Sequence, residues 1–436
     1  MLADDRRASD LVAHDARSQR SSDGRFRWVI CALLFAACLI NYMDRQILGI
    51  LKPELSRVFG WSERDYGNIA IAFQASYTIG QILFGPFINW LGTKTAYAIS
   101  VTVWSLAAMS HAIARSVTGF CGSRFALGLG ESGNFPAAIR TTTEWFPPRE
   151  RSVATGIFNS GSNIGAMFAP LLVPALAIHL GWRGAFIALG LTDLAWLCFW
   201  LGLYDPPESS KRVSASELAH IHSGTEGQVE ARIPWTRLLR FREAWGYYGT
   251  CVLVGPVWWF YGFWLPDFFN KQFHLNMKQF GPPLVVVYAI AGLGSIMGGA
   301  VSAWFLKRGW PVNLARKTAS FLCAICTLPV IFAPRVSSVW LAAGFFALAA
   351  AAHQGWSATM YTVVADMFPR RAVASIVGFG GTLASLMTMA FFWLVSTILQ
   401  DQGRYYTIMM ICGSAYVVAW IIFHFAVPQI KPVTVE

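Results

Sequence analysis

The sequence predicts an all-α polytopic membrane protein of twelve transmembrane helices in two six-helix pseudo-repeats. Three observations predict it: a composition too apolar for water, a succession of apolar runs about twenty residues long, and motifs that recur between the two halves. Of 436 residues, 55% are hydrophobic and only 13% charged, against about 25% charged in soluble domains. One water-soluble core cannot hide that much apolar surface, so the lipid bilayer is a partner of the chain and part of its solvent.

A helix needs roughly 20 apolar residues to cross the hydrocarbon core. Such runs lie near 27–48, 66–88, 95–114, 118–140, 152–177 and 184–203, then near 245–268, 281–306, 314–333, 337–362, 372–398 and 404–426. They far exceed the ~10 residues of a spanning strand, which argues against a barrel. Segment 1–25 is charged and has no apolar stretch beside a cleavage site, so it reads as a cytoplasmic tail and not a signal peptide. Bundles are expected at 26–204 and 244–427, with a cytoplasmic linker at 205–243 and a C-terminal tail at 428–436. The sequence does not settle whether that linker is helical.

Placing both termini in the cytoplasm puts 22 Lys and Arg on that side and 9 in the outer loops, with Arg45, Arg124 and Arg140 inside spans. The bias follows the positive-inside rule. The formal charge of +11 is therefore read as a topology signal, and no nucleic acid is expected as a partner. Among eight cysteines, Cys323 and Cys326 form a lone CxxC without a second pair or a histidine cluster. No disulfide or metal site is expected.

The halves echo each other. Phe146-Pro147-Pro148-Arg149-Glu150-Arg151 recurs as Phe368-Pro369-Arg370-Arg371, each opening the fifth span of its half. Gly85…Asn89…Gly92-Thr93-Lys94 is answered by Gly299…Ala303…Lys307-Arg308 after the second span. Repeats in the same orientation suit a six-plus-six transporter.

Ionisable residues deep in a span cost about 2.5–3.5 kcal/mol each on insertion scales, which makes them functional candidates. The first span carries Asn41-Tyr42-Met43-Asp44-Arg45. The fourth holds Arg124, Gly128, Glu131 and Asn134 on one helical face, with Gly128, Gly130 and Gly133 small enough for a second backbone to approach. Desolvation favours the neutral form of a carboxyl group, which is the chemistry of a proton carrier. The competing arrangements are snorkelling of Asp44 and Arg45 to the interface, and a static Arg124–Glu131 pair that only braces helices. Asp193, Asp267 and Asp366 are read as span-end residues.

Polar stripes point the same way: Gln74, Tyr77 and Gln81; Asn159, Ser162 and Asn163; His353, Ser357 and Tyr361, beside Gln354. The seventh span has Trp258, Trp259 and Trp264. Each stripe alone also serves helix–helix hydrogen bonding, and the tryptophans also suit an interfacial belt. Their convergence with two carboxylates favours one central polar cavity.

These residues resemble the major facilitator superfamily over nearly the whole chain. Within it they resemble the anion:cation symporter family, through Asn41–Arg45, Arg124-Phe125-Ala126-Leu127-Gly128-Leu129-Gly130-Glu131, Glu144-Trp145-Phe146-Pro147 and Ile157–Ala166. His353-Gln354 is similar to the hexuronate branch. The resemblance implies proton coupling at Asp44 and Glu131 and a substrate carboxylate on Arg45. It implies further that Tyr77 holds substrate and that Arg124 tunes the acids. Tyr42, Arg124, Asn159, Ser162, Trp259, His353, Gln354 and Tyr361 complete the expected binding set. No cofactor is expected beyond the proton gradient, and the partners expected are a small organic anion and protons. The chain is expected to be monomeric, in a bacterial inner membrane, importing a sugar acid. The alternatives are another carboxylate, a uniporter or an exporter.

Two departures stand out. The superfamily loop Gly-x-x-x-Asp reads Gly85…Asn89 here, without its acid. The eleventh span has Phe379-Gly380-Gly381-Thr382 where the galactonate-like branch places an Asn.

Overall fold

A computed structural model describes residues 25–223 and 235–433. Most of the expected tail at 1–25, part of the linker and the last three residues lie outside it. The described residues are overwhelmingly helical. Helices α1 (Phe26–Phe59), α2 (Glu63–Leu91) and α3 (Thr93–Ser110) are followed by α4 (Val117–Glu131), α5 (Asn134–Trp145) and α6 (Arg151–Leu203). Short helices α7 (Ala215–His222) and α8 (Trp235–Leu238) precede α9 (Arg242–Phe273), α10 (Gly281–Lys307) and α11 (Val312–Thr327). Then come α12 (Val339–Met367), α13 (Arg370–Gln402) and α14 (Tyr406–Ala426).

Eight of the helices are long and apolar enough to cross a membrane. One of them, α6, contains two spans. Unbroken, it would hold Ala154 and Trp196 about 63 Å apart at 1.5 Å per residue. Both instead meet the same turn of α1: Cys31 Sγ lies against the Ala154 carbonyl, and Trp196 Nε1 donates to the Leu33 carbonyl. The chain turns back at Gly181, whose φ of 71° and ψ of 167° suit a residue without a Cβ. The remaining expected spans are α4 with α5, α9 and α12. They include the segments that carry Arg124, Glu131, His353 and Gln354, whose polarity lowers the hydropathy of the windows around them.

The expected fourth span is one helical stretch: α4 ends at Glu131 and α5 begins at Asn134, and Ser132 (φ −59°, ψ −24°) and Gly133 (φ −76°, ψ −20°) between them keep helical backbone angles.

Among the first six spans, α1 packs on α6, α2 on α4, and α3 on α4 and α6. Among the last six, α10 packs on α12, and α9 on α13 and α14. The two sets meet where α1 touches α9, α2 touches α13 and α6 touches α10. Between the sets of spans, α7 is capped by Ser214, whose Oγ accepts from Glu217 N. Glu217 in turn takes a hydrogen bond from Arg27 N at 3.0 Å. Arg27 and His220 also contact Glu150. These bonds hold Glu150 below the usual carboxylate range despite its partial burial.

Close approach of α4 to its neighbours depends on absent side chains. A Cβ on Gly128 would stand 2.5 Å from the Phe73 carbonyl oxygen, and one on Gly130 would stand 2.6 Å from Trp104 N. Gly122, on the same helix, has open space. Gly130→Ala is therefore expected to destabilise the protein by about 1–3 kcal/mol, and Gly122→Ala to leave it near wild type. Thermal unfolding in detergent checks the contrast; equal melting of both variants would remove the packing argument.

Candidate substrate and ion site

Consecutive residues of a helix point about 100° apart, so Asp44 and Arg45 face different neighbours. Arg45 turns to α4: its Nε and Nη2 each donate to Glu131 Oε2 at 3.0 Å. Nη2 also donates to Asn41 Oδ1 at 3.2 Å, one turn earlier. Aromatic faces surround the guanidinium, with the rings of Tyr42, Tyr77, Trp259 and Phe73 centred 4.8, 4.9, 5.0 and 5.7 Å away. Ring faces attract cations and exclude water from the pair. Arg45 is 8% exposed and Glu131 fully buried. Glu131 thus bonds to Arg45, and the brace expected between Arg124 and Glu131 is not the one formed. Snorkelling does not occur either, since Asp44 and Arg45 are both buried.

Arg124 lies behind this pair. Its Nη1 donates to the Asp44 carbonyl at 3.5 Å, while Nε and Nη2 have no protein partner. The side chain is fully buried and lines neither cavity described below.

Beside Arg45 opens a cavity of about 230 Å³, lined by Tyr42, Arg45, Gln46, Trp258, Trp259 and Tyr288 among others. A second, of about 180 Å³, shares Trp258 and Trp259 and continues past Tyr247, His353, Ser357 and Tyr361. Together they fall in the roughly 300–1,000 Å³ range of small-molecule sites. His353 stacks on Trp258 with ring centroids 4.8 Å apart, and its Nδ1 lies 2.6 Å from the Tyr416 hydroxyl. Tyr77 stands edge-on to Trp259 at 5.7 Å.

Of the sequence-derived binding set, Tyr42, Arg45, Trp259, His353 and Tyr361 line the cavities. Tyr77 and Gln354 adjoin them. Asn159 is exposed, and Ser162 Oγ donates to its carbonyl at 2.6 Å. The group on that helix that reaches across is Asn163, whose Oδ1 accepts from Gln354 Nε2 at 3.2 Å. Gln46, Trp258 and Tyr288 were not singled out as binding residues; Trp258 sits in the aromatic run already noted, while Gln46 and Tyr288 carry no sequence signal. In the eleventh span, Gly381 faces the second cavity.

The Major Facilitator Superfamily model matches residues 34–392. The chain belongs to the Major Facilitator Superfamily. The hexuronate transporter of Escherichia coli K12 is 31% identical over 384 residues, covering 86% of this chain and 88% of the relative. The galacturonate transporter of Dickeya chrysanthemi is 35% identical over 292 residues, covering 66% and 84%. In fold, the chain resembles a D-xylose–proton symporter, with a TM-score of 0.72, 13% identity and coverage of 93% and 98%. This superfamily member is a multi-pass membrane transporter, not an enzyme.

The superfamily protein is sealed at the end where α1 passes into α2. Lys52 Nζ lies 2.8 Å from both Glu63 Oε2 and Asp267 Oδ2. Lys271 contacts the same two acids, and the Tyr405 hydroxyl donates to Asp267. Tyr66 Oη donates to the Phe263 carbonyl at 2.7 Å, and Glu63 N donates to Gln400 Oε1 at 3.0 Å. Asp267 is a span-end residue as the sequence suggests, yet it is buried and ties α1, α9 and the start of α14 together. Asp366 is also at a span end, paired with Arg316 at 2.8 Å. Asp193 corrects its expectation: it sits midway along the sixth span and is fully buried. Residue spacing gave its helix but not the direction of its side chain.

Removing one member of a buried ion pair strands the other. Lys52→Met is expected to cost up to about 3 kcal/mol, at the low end because Lys271 still meets both acids. Lys52→Met with Asp267→Asn should recover part of it. Thermal unfolding of the purified variants measures both, and a double variant no better than the single one would exclude the coupling.

Proposed function

We propose that the chain imports an organic anion of the sugar-acid class, with protons, by alternating access around the Arg45 cavity. The observation that carries this reading is the Arg45–Glu131 pair opening onto a cavity walled by tryptophan and tyrosine. A substrate carboxylate is a chemical substitute for Glu131: its oxygens can take the guanidinium N–H groups that Glu131 Oε2 now accepts. Docking therefore frees Glu131, and a free carboxyl group in a dry site takes up a proton. Asp44 and Glu131 are the proton-coupling acids in this reading. A charge count supports it, because anion and proton then enter the site together and its net charge is unchanged. Each uncompensated charge moved would be worth about 2.3 kcal/mol per 100 mV of membrane potential.

The sealed end, with Lys52, Glu63 and Asp267, is the outer end in this reading. The Lys and Arg distribution supports that orientation, with both termini cytoplasmic. The chain divides into six-helix bundles at 26–204 and 244–427, which rock against each other along the α1–α9, α2–α13 and α6–α10 contacts. The relatives that transport hexuronate and galacturonate support the sugar-acid class. So does the chemistry of the wall: a sugar acid needs one cationic anchor, neutral hydrogen-bonding groups and aromatic faces for its C–H surfaces. Arg45 meets the first need, Gln46, His353 and Tyr361 the second, and Trp258 with Trp259 the third.

Glu131→Gln is expected to keep substrate exchange between the two sides of a vesicle while losing accumulation driven by a pH gradient. Full accumulation by that variant would take Glu131 out of the coupling step. Arg45→Lys should lower uptake roughly ten- to hundredfold, since a point charge replaces a fork worth about 1.5–3 kcal/mol; unchanged uptake would move the carboxylate anchor elsewhere. In a competition assay, hexuronates or aldonates should inhibit uptake and the matching neutral sugars should not. Inhibition by benzoate-like acids alone would leave a transporter of a different anion.

A further inference from the structure

Asp193 has no place in the reading above, yet its surroundings are those of the acid site. It lies in the second helix of α6, fully buried, with Asp44 of α1 within hydrogen-bonding reach and Trp104 of α3 beside it. Neither Asp193 oxygen receives a well-formed hydrogen bond from a protein donor, and Asp44 Oδ2 receives none. Two carboxyl groups at that distance with no cation between them cannot both be ionised. A proton held between them supplies the donor that each lacks.

The charge count around them leads to the same place. Glu131 and Arg124 face Asp44, Glu131 faces Asp193, and Arg45 is bonded to Glu131. Cys38, Tyr42, Tyr66, Tyr77 and His111 are the other titratable groups that face the two arginines. Three carboxylates against two guanidiniums leave one uncompensated negative charge among buried side chains, a costly arrangement. One proton brings the five groups to neutrality. Arg124 contributes two further N–H groups, on Nε and Nη2, that are buried and unpartnered.

We propose that Asp193 is a third member of the proton site, sharing a single proton with Asp44. This rests on the proton-coupled reading and extends it. With that proton in place, the cluster is neutral before the anion arrives. The proton that accompanies a monovalent anion then goes to Glu131, which the anion has displaced from Arg45. Asp193 acts through Asp44 and touches neither cavity, so it is a positioning residue for the proton.

The test is gradient-driven uptake of a hexuronate into proteoliposomes over a series of external pH values. With Asp193→Asn, the half-maximal pH should move to more acid values by about one unit or more, with exchange at saturating substrate retained. Asp193→Glu, which keeps the acid, should restore the wild-type profile. A wild-type profile in the Asn variant would overturn the proposal. If that variant does not fold, infrared spectroscopy of the substrate-free wild-type protein at neutral pH, in which Glu131 is bonded to Arg45, decides instead. A buried protonated-carboxyl band should be present, and its absence would refute the shared proton. Wild-type uptake that ignores the pH gradient would sink the coupled reading itself, and the infrared band would still judge the pair.

Discussion

The structure around the site depends on keeping Arg45 charged where it is almost wholly buried. A guanidinium cannot shed its proton there, so every neighbour must compensate it. Glu131 does so through two hydrogen bonds to one oxygen, Asn41 through a third, and four ring faces fill the remaining directions. Because those partners come from α1, α2, α4 and α9, the requirement of one side chain draws four helices to a common depth. A ligand that replaces Glu131 changes the balance in all four at once.

Helix geometry is subordinate to that requirement. α4 can bring Glu131 to α1 only if it runs against α2 and α3 at backbone distance, and Gly128 and Gly130 permit this. The backbone stays helical through Ser132 and Gly133 to Asn134, which takes a hydrogen bond from Tyr97 and reaches Cys38.

The two ends of the molecule use charge differently. At the Glu63 end, Lys52, Lys271, Glu63 and Asp267 form a compact lattice with near-balanced charge, suited to holding helices together. At the centre, the carboxyl groups outnumber the guanidiniums that face them. Under the proposed mechanism the first arrangement has no work for a proton and the second takes one up and releases it. Buried ion pairs are weak contributors to stability in general, which fits that division.

The sequence by itself determined the twelve apolar segments, the depth of Asp44, Arg45, Arg124 and Glu131, and the aromatic and polar stripes that converge on them. Those features are local: hydrophobic length, helical period and the cost of a charge in lipid can all be read along one strand of residues. It placed Asn159 and Ser162 on the right helix, but Asn163 is the residue that reaches Gln354. The tertiary structure alone decided which acid pairs with which arginine and that Asp193 faces Asp44. Each of these depends on how helices distant in sequence are rotated about their axes. That rotation is set by packing between them, chiefly by where a glycine lets two backbones close, and no periodicity within a single helix encodes it.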